Sequence, residues 1–233
     1  MPYYYYTLAA GLIVSIAFLF SRAKGASVKN LFFKSASSLC YLLTSVFAVI
    51  ANPNNPVFGT FIIMGGALGL VGDIALDLKC IYHKDANDYL KAGFLFFLVG
   101  HIFYTSAIVH QIQFELWWVI VCIAISVVVA CASVFSANIM RVHYGKYRRI
   151  VLLYVIFLTM TTVTSIFAAF VTRSKSMIIM AIGSVLFLLS DVVLNFTYFG
   201  RGWNKPIHIF INHFLYYAGQ YLIASSIIFL DCR

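Results

Sequence analysis

A chain of 233 residues that is 63% hydrophobic and only 10% charged lies far outside the range of soluble domains. A soluble enzyme and a nucleic-acid-binding module are both excluded, which leaves an integral membrane protein. The net charge of +9 sits at the ends of apolar runs, so it reads as a topology signal and not as a surface for a polyanion.

Eight apolar runs approach the roughly 20 residues needed to cross a bilayer: Tyr4–Phe20, Leu31–Ile50, Phe58–Leu78, Leu90–His110, Leu116–Phe135, Ile150–Val171, Ser176–Phe199 and Ile207–Leu230. Short loops join them. The expected fold is an all-α integral membrane protein, one bundle of about eight transmembrane helices forming a single domain over residues 1–233. No positive residue precedes the first run, whereas Arg22, Lys24 and Lys29 follow it. It is therefore expected to stay as an anchor and not to be cleaved as a signal peptide. The five cysteines, Cys40, Cys80, Cys122, Cys131 and Cys232, have neither metal-ligand spacing nor a disulfide-framework pattern.

The second run carries Lys34 in its first turn, followed by Ser35, Ser37, Ser38, Thr44 and Ser45. Such a lysine reads equally well as a snorkelling interface residue or as a ligand for phosphate. Asn52–Pro56 is a turn signal. The third run contains GGALGLVGDIALD, in which Gly65, Gly69, Asp73 and Asp77 fall on one helical stripe. Glycines on such a stripe admit a close neighbour. A carboxylate near a bilayer centre costs roughly 2.5–3.5 kcal/mol on insertion scales, so Asp73 calls for a function. The charged stretch KCIYHKDANDYLK that follows is expected to form an interfacial cap.

The fourth run holds Gly93, Phe97, Gly100, His101 and Tyr104 on or near one face. Trp117 and Trp118 open the fifth as an interfacial anchor, and the sixth is rich in hydroxyls from Thr159 to Ser165. Threonines in such helices often bond their own backbone, so these carry little functional weight. The seventh buries Asp191, with Asn195 and Tyr198 each about one turn further on, and the eighth aligns His213, Tyr217 and Gln220. A lone His or Gln in a bundle is more often a packing residue than a catalyst; the convergence of several argues otherwise.

All but Arg173, Lys175 and Arg233 of the sixteen Lys and Arg residues lie in or beside the first, third, fifth and seventh loops. The positive-inside rule then puts those loops in the cytosol and both termini on the other side. The basic face also suits anionic membrane lipids. Homo-oligomer formation is left open.

Aligning Asp73 with Asp191 also pairs Gly65 with Gly183, Leu76 with Leu194 and Asp77 with Asn195. A shift one residue longer matches Gly100–His101 with Gly219–Gln220. Two parallel four-helix repeats, 1–115 and 116–233, are therefore expected. At about 1.5 Å per residue, Asp73 lies about 9 Å before Lys79 and Asp191 about 15 Å before Arg201, while His101 and His213 reach comparable depths. The expectation is a polar pocket lined by Asp73, Asp191, Asn195, His101, His213, Tyr217 and Gln220. A buried carboxylate pair with one member protonated suits oxocarbenium chemistry, aspartic proteolysis or proton-coupled transport. Spacing alone separates none of these, although Gly69–Asp73 reads GxxGD and not the GxGD of an intramembrane protease.

The runs GLVGDIALD, FFLVGHIFY, GSVLFLLSDVVL and YYAGQYLIASS, taken together and in this order, resemble the YhhN-like lysoplasmalogenase family of multi-span membrane enzymes. Weaker agreement extends to Lys34 and Tyr154. The lysine of the second span is usually followed by proline in that family, whereas Ser35 follows here. The resemblance implies hydrolysis of the vinyl ether bond of a lysoplasmalogen, a lysophospholipid, to a fatty aldehyde and glycerophosphoethanolamine or glycerophosphocholine, with no cofactor. Asp73 and Asp191 would be the catalytic pair, with Asp191 leaning toward the acid. Lys34, Asp77, His101, Tyr104, Asn195, His213, Tyr217 and Gln220 would bind substrate or position the carboxyls and water.

Overall fold

The structure is a computed structural model that describes residues 2–22, 24–53, 55–112 and 114–230; Cys232 and Arg233 fall outside them. Eight α-helices follow one another: α1 Tyr3–Arg22, α2 Val28–Ala51, α3 Pro56–Ile81, α4 Ala86–Ile112, α5 Leu116–Phe135, α6 Arg148–Thr172, α7 Lys175–Phe199 and α8 Pro206–Ser225. No strand forms among the described residues, and Val142 and Gly200 make an isolated bridge. Among the described residues, seven helices are long and apolar enough to cross a membrane, by length and composition. The exception is α8, whose polar load of His208, Asn212, His213 and Gln220 lowers its hydropathy.

Local chemistry sets the helix starts. The side chains of Ser27, Asn55 and Ser174 accept from the amides of Asn30, Phe58 and Met177, closing orphan donors in the first turn. Pro56 and Pro206 occupy opening positions where no amide is needed. The stretch after the third run is not an extended cap: α3 runs on to Ile81, one 3-10 turn spans His83–Asp85, and α4 starts at Ala86. The helix-forming residues on either side shorten the linker.

Helix neighbours close a ring in the order α2, α3, α4, α6, α7, α8 and back to α2, with α1 against α2 and α8, and α5 against α6. Only Cys122, Ser126, Ala130 and Val134 of α5 are buried, a single four-residue stripe facing α6. Two glycine contacts draw ring helices together. A Cβ on Gly65 of α3 would stand 3.0 Å from the Gly100 carbonyl of α4, and one on Gly183 of α7 would stand 2.9 Å from the Gly219 carbonyl of α8.

The loops gather at two ends. His143 N donates to Phe199 O at 2.9 Å and Tyr147 bonds Asn87, tying the fifth loop to the third and seventh at what is called here the basic end. At the other end Asn52 donates to the carbonyls of Ile227 and Leu230, and Asn55 to Gln111.

Candidate active site

At the centre of the ring lies a small cavity of about 30 Å³, enough for one water. Every ring helix lines it: Lys34 from α2, Asp73 and Leu76 from α3, Phe94 and Phe97 from α4, Tyr154 from α6, Asp191, Leu194 and Tyr198 from α7, and Asn212, His213 and Tyr216 from α8. Helices that diverge in sequence by more than a hundred residues thus bring Asp73 and Asp191 to one space.

The two acids differ in their partners. Asp73, 1% exposed, accepts on Oδ2 from Ser38 Oγ and from Tyr216 OH, both at 2.6 Å. Its Oδ1 lies 3.3 Å from Lys34 Nζ. The same ammonium is 3.5 Å from Asp77 Oδ1, which also faces Arg22 Nη2 at 3.8 Å. Asp77 Oδ2 is buried without a hydrogen-bond partner. Asp73 and Asp77 are thus matched by Lys34 and Arg22, as buried charges require.

Asp191 forms no ion pair among the described residues. Tyr154 OH donates to its Oδ2, and Oδ1 lies 3.3 Å from Ser190 Oγ. The Ser190 hydroxyl donates to Phe187 O at 2.8 Å, and a hydroxyl has one hydrogen. The Ser190 hydroxyl is thus shared between the Phe187 carbonyl and Asp191 Oδ1 and favours the closer carbonyl. Asp191 therefore differs from Asp73 in having hydrogen-bond donors but no cation beside it.

Behind Asp73 runs a hydrogen-bonded chain. Tyr104 OH donates to Gln220 Oε1 at 2.9 Å, Gln220 Nε2 donates to Tyr216 OH at 3.3 Å, and Tyr216 donates to Asp73. Tyr104 and Gln220 therefore act on the acid through Tyr216 and do not line the cavity. His101 lies outside it as well, with Nδ1 3.2 Å from Thr161 Oγ1 and its ring edge-on to Phe187. Tyr217 points toward α2, donating to Lys34 O at 3.1 Å. Lys34 neither snorkels nor reaches the interface; its side chain is 4% exposed. His213 lines the cavity, whereas Asn195 lines an adjoining cleft.

That cleft, of about 250 Å³, runs between α5, α6 and α7 from Val129, Ser133 and Val192 to Tyr154 and Asp191. It is almost wholly apolar, and the Met140 and Tyr144 side chains of the fifth loop close its basic end. Burial pushes the Tyr144 phenol above its ordinary range, against a hydrogen bond to Asn195 that lowers it. A third space of about 170 Å³ opens at the basic end among Arg22, Lys79, Asn204 and Tyr198, and shares Leu194, Tyr198, Asn212 and His213 with the acid cavity.

Tyr216 and Asn212 went unremarked in the sequence, whereas Ser38 and Tyr154 were noted among the hydroxyls of their spans without a place at the site. A signal for two of them existed: Asn212, Tyr216 and Gln220 fall at four-residue spacing, one position out of step with the stripe anchored on His213.

A model of the YhhN family matches residues 29–227, a span that takes in the six ring helices, save the first residue of α2, and every residue of the acid cavity. No curated protein and no solved structure matches the chain. With that match over most of its length, and with an all-helical, membrane-type bundle, the chain belongs to the YhhN family, the family of lysoplasmalogenases.

Proposed function

We propose that this protein hydrolyses the vinyl ether bond of lysoplasmalogens inside the membrane, with Asp191 as the general acid and Asp73 as a fixed negative charge. The observation that carries this reading is the position of Asp191 at the junction of two spaces, the apolar cleft and the water-sized cavity shared with Asp73. A fatty alkenyl chain fits the cleft, and its reactive end then lies beside the acid and a water.

The reaction begins with transfer of the Asp191 proton to the alkenyl carbon distal to the ether oxygen, which leaves an oxocarbenium ion. Asp73 already accepts from Ser38 and Tyr216 and faces Lys34, so its charge is held in place to stabilise that cation. Water adds to the carbon that bears oxygen and gives its proton to the Asp191 carboxylate, which restores the acid. The hemiacetal collapses, its hydroxyl proton passing to the ether oxygen as the carbon–oxygen bond breaks. The products are a fatty aldehyde and the glycerophospho-headgroup. Every electron pair stays within substrate and water, so the cycle closes without an external reactant.

Asp191→Asn and Asp73→Asn test the assignment in purified protein in lipid nanodiscs. A general acid contributes about 10²–10⁴-fold and a preorganised charge about 10²–10³-fold, so each variant should lose at least about a hundredfold in kcat on lysoplasmalogen. Near-wild-type turnover by Asp191→Asn would contradict the mechanism.

A further inference from the structure

We propose that Arg22 and Lys79, in the chamber at the basic end, form a binding site for the phosphodiester of the substrate headgroup. The assignment rests on the lipid substrate proposed above. The chamber of about 170 Å³ is lined by Arg22, Lys79, Thr197 and Asn204. It is continuous with the acid cavity through Leu194, Tyr198, Asn212 and His213.

Charge makes the first argument. Lys34 lies between Asp73 and Asp77, and Arg22 faces Asp77. Lys79 makes no ion pair among the described residues; its ammonium rests 3.2 Å from the centre of the Tyr198 ring. With Asp191 neutral, the cations Arg22, Lys34 and Lys79 exceed the anions Asp73 and Asp77 by one. A phosphodiester carries a single negative charge and brings that cluster to neutrality. In a half-buried setting such a surplus is worth far more than at a solvated surface.

Geometry makes the second. Asp191, Leu194, Asn195 and Tyr198 form one stripe of α7, so the chamber lies about 10 Å along the helix axis from the acid. The long Lys79 side chain reduces that gap, and a glycerol backbone bridges the remainder. The tail would lie in the cleft, the vinyl ether at Asp191 and the phosphate at Lys79. Arg22 supplies a fork of donors, one of which now goes to Cys80 Sγ at 3.2 Å, a weak acceptor that a phosphate oxygen would outcompete.

The test compares a lysoplasmalogen with the alkenylglycerol that has the same chain and vinyl ether but no phosphate. The wild-type protein should favour the phospholipid in kcat/KM, chiefly through KM. Lys79→Gln should cut that preference about tenfold, the scale of one charge-assisted hydrogen bond, and Lys79→Arg should restore it. A preference that survives Lys79→Gln and Arg22→Gln overturns the site. Equilibrium binding of the non-hydrolysable alkyl-ether lysophospholipid, measured against alkylglycerol, reads the same preference without turnover. A binding preference lost in Lys79→Gln, in a protein that cleaves no vinyl ether, would uphold the anion site while the hydrolytic reading fails. Hydrolysis of both lipids with equal kcat/KM would do the reverse. Inorganic phosphate separates the two sources of the anion: a headgroup site predicts no competition below millimolar phosphate, and competition at micromolar phosphate would overturn it in favour of a free-anion site.

Discussion

Lys34 is the residue on which the charge balance of the centre turns. Its ammonium lies between Asp73 and Asp77, so removing it leaves two buried carboxylates facing only Arg22 on the far side of Asp77. Breaking a buried pair from one side costs about 3–5 kcal/mol. Lys34→Met should therefore lower the thermal midpoint in detergent by many degrees and abolish activity, while the stability of Lys79→Gln, at the half-buried rim, should change little. A Lys34→Met protein as stable as wild type would show that Asp73 and Asp77 do not both carry charge. Asp73 was legible because an acid in an apolar helix is conspicuous, and so was Asp191. Tyr216 and Ser38 were not, because tyrosines and serines are common in such helices and one sequence gives no reason to prefer one. Asn212 and His213 both line the cavity, but one turn on it is Tyr216 that enters, about 100° of helical rotation from Tyr217, so extending the stripe from His213 put Tyr217 where Tyr216 belongs.

The helices were easier to read than the contacts between them. Hydropathy located all eight to within a few residues, and α5 at both ends, because a bilayer span needs a long apolar run whatever packs against it. The glycines were legible as places of close approach, but their partners were not. Gly183 packs on the Gly219 backbone of α8, and α8 carries Tyr216. Gly183→Ala places a methyl 2.9 Å from a carbonyl oxygen and 3.0 Å from the Ile223 amide nitrogen, neither of which is free to move alone. Overpacking of this kind costs about 1–3 kcal/mol. The variant should lose stability on that scale and also lose kcat, because α7 and α8 would separate across the acid cavity. Full activity in Gly183→Ala would mean that the contact is dispensable for the site. The cleft belongs to this scale too. Ser133→Trp on α5 should raise KM for long alkenyl chains more than for short ones, and an equal effect on both would place the tail elsewhere.

For the whole molecule, we propose that the two halves are copies of one unit. The glycine pairs Gly65–Gly100 and Gly183–Gly219 occupy matching positions of the alignment, and each joins the third helix of its half to the fourth. The ring has the same symmetry, since α2 meets α8 as α6 meets α4. The matched acids Asp73 and Asp191 have then diverged in their neighbours, with Lys34 of α2 beside one in an ion pair and Tyr154 of α6 beside the other in a hydrogen bond. That divergence gives two equivalent acids two different roles. The sequence offered a leaning toward Asp191 as the acid but not its physical basis, which depends on which side chains on α2 and α6 face inward. Carbon protonation by an intramembrane carboxylic acid leaves an isotopic mark, which mass spectrometry reads in products formed in D₂O from lysolipids offered as vinyl ether, alkyl ether and acyl forms. The expected result is aldehyde from the vinyl ether alone, carrying one deuterium on the carbon next to the carbonyl. Fatty acid from the acyl form, or aldehyde without deuterium, would contradict it.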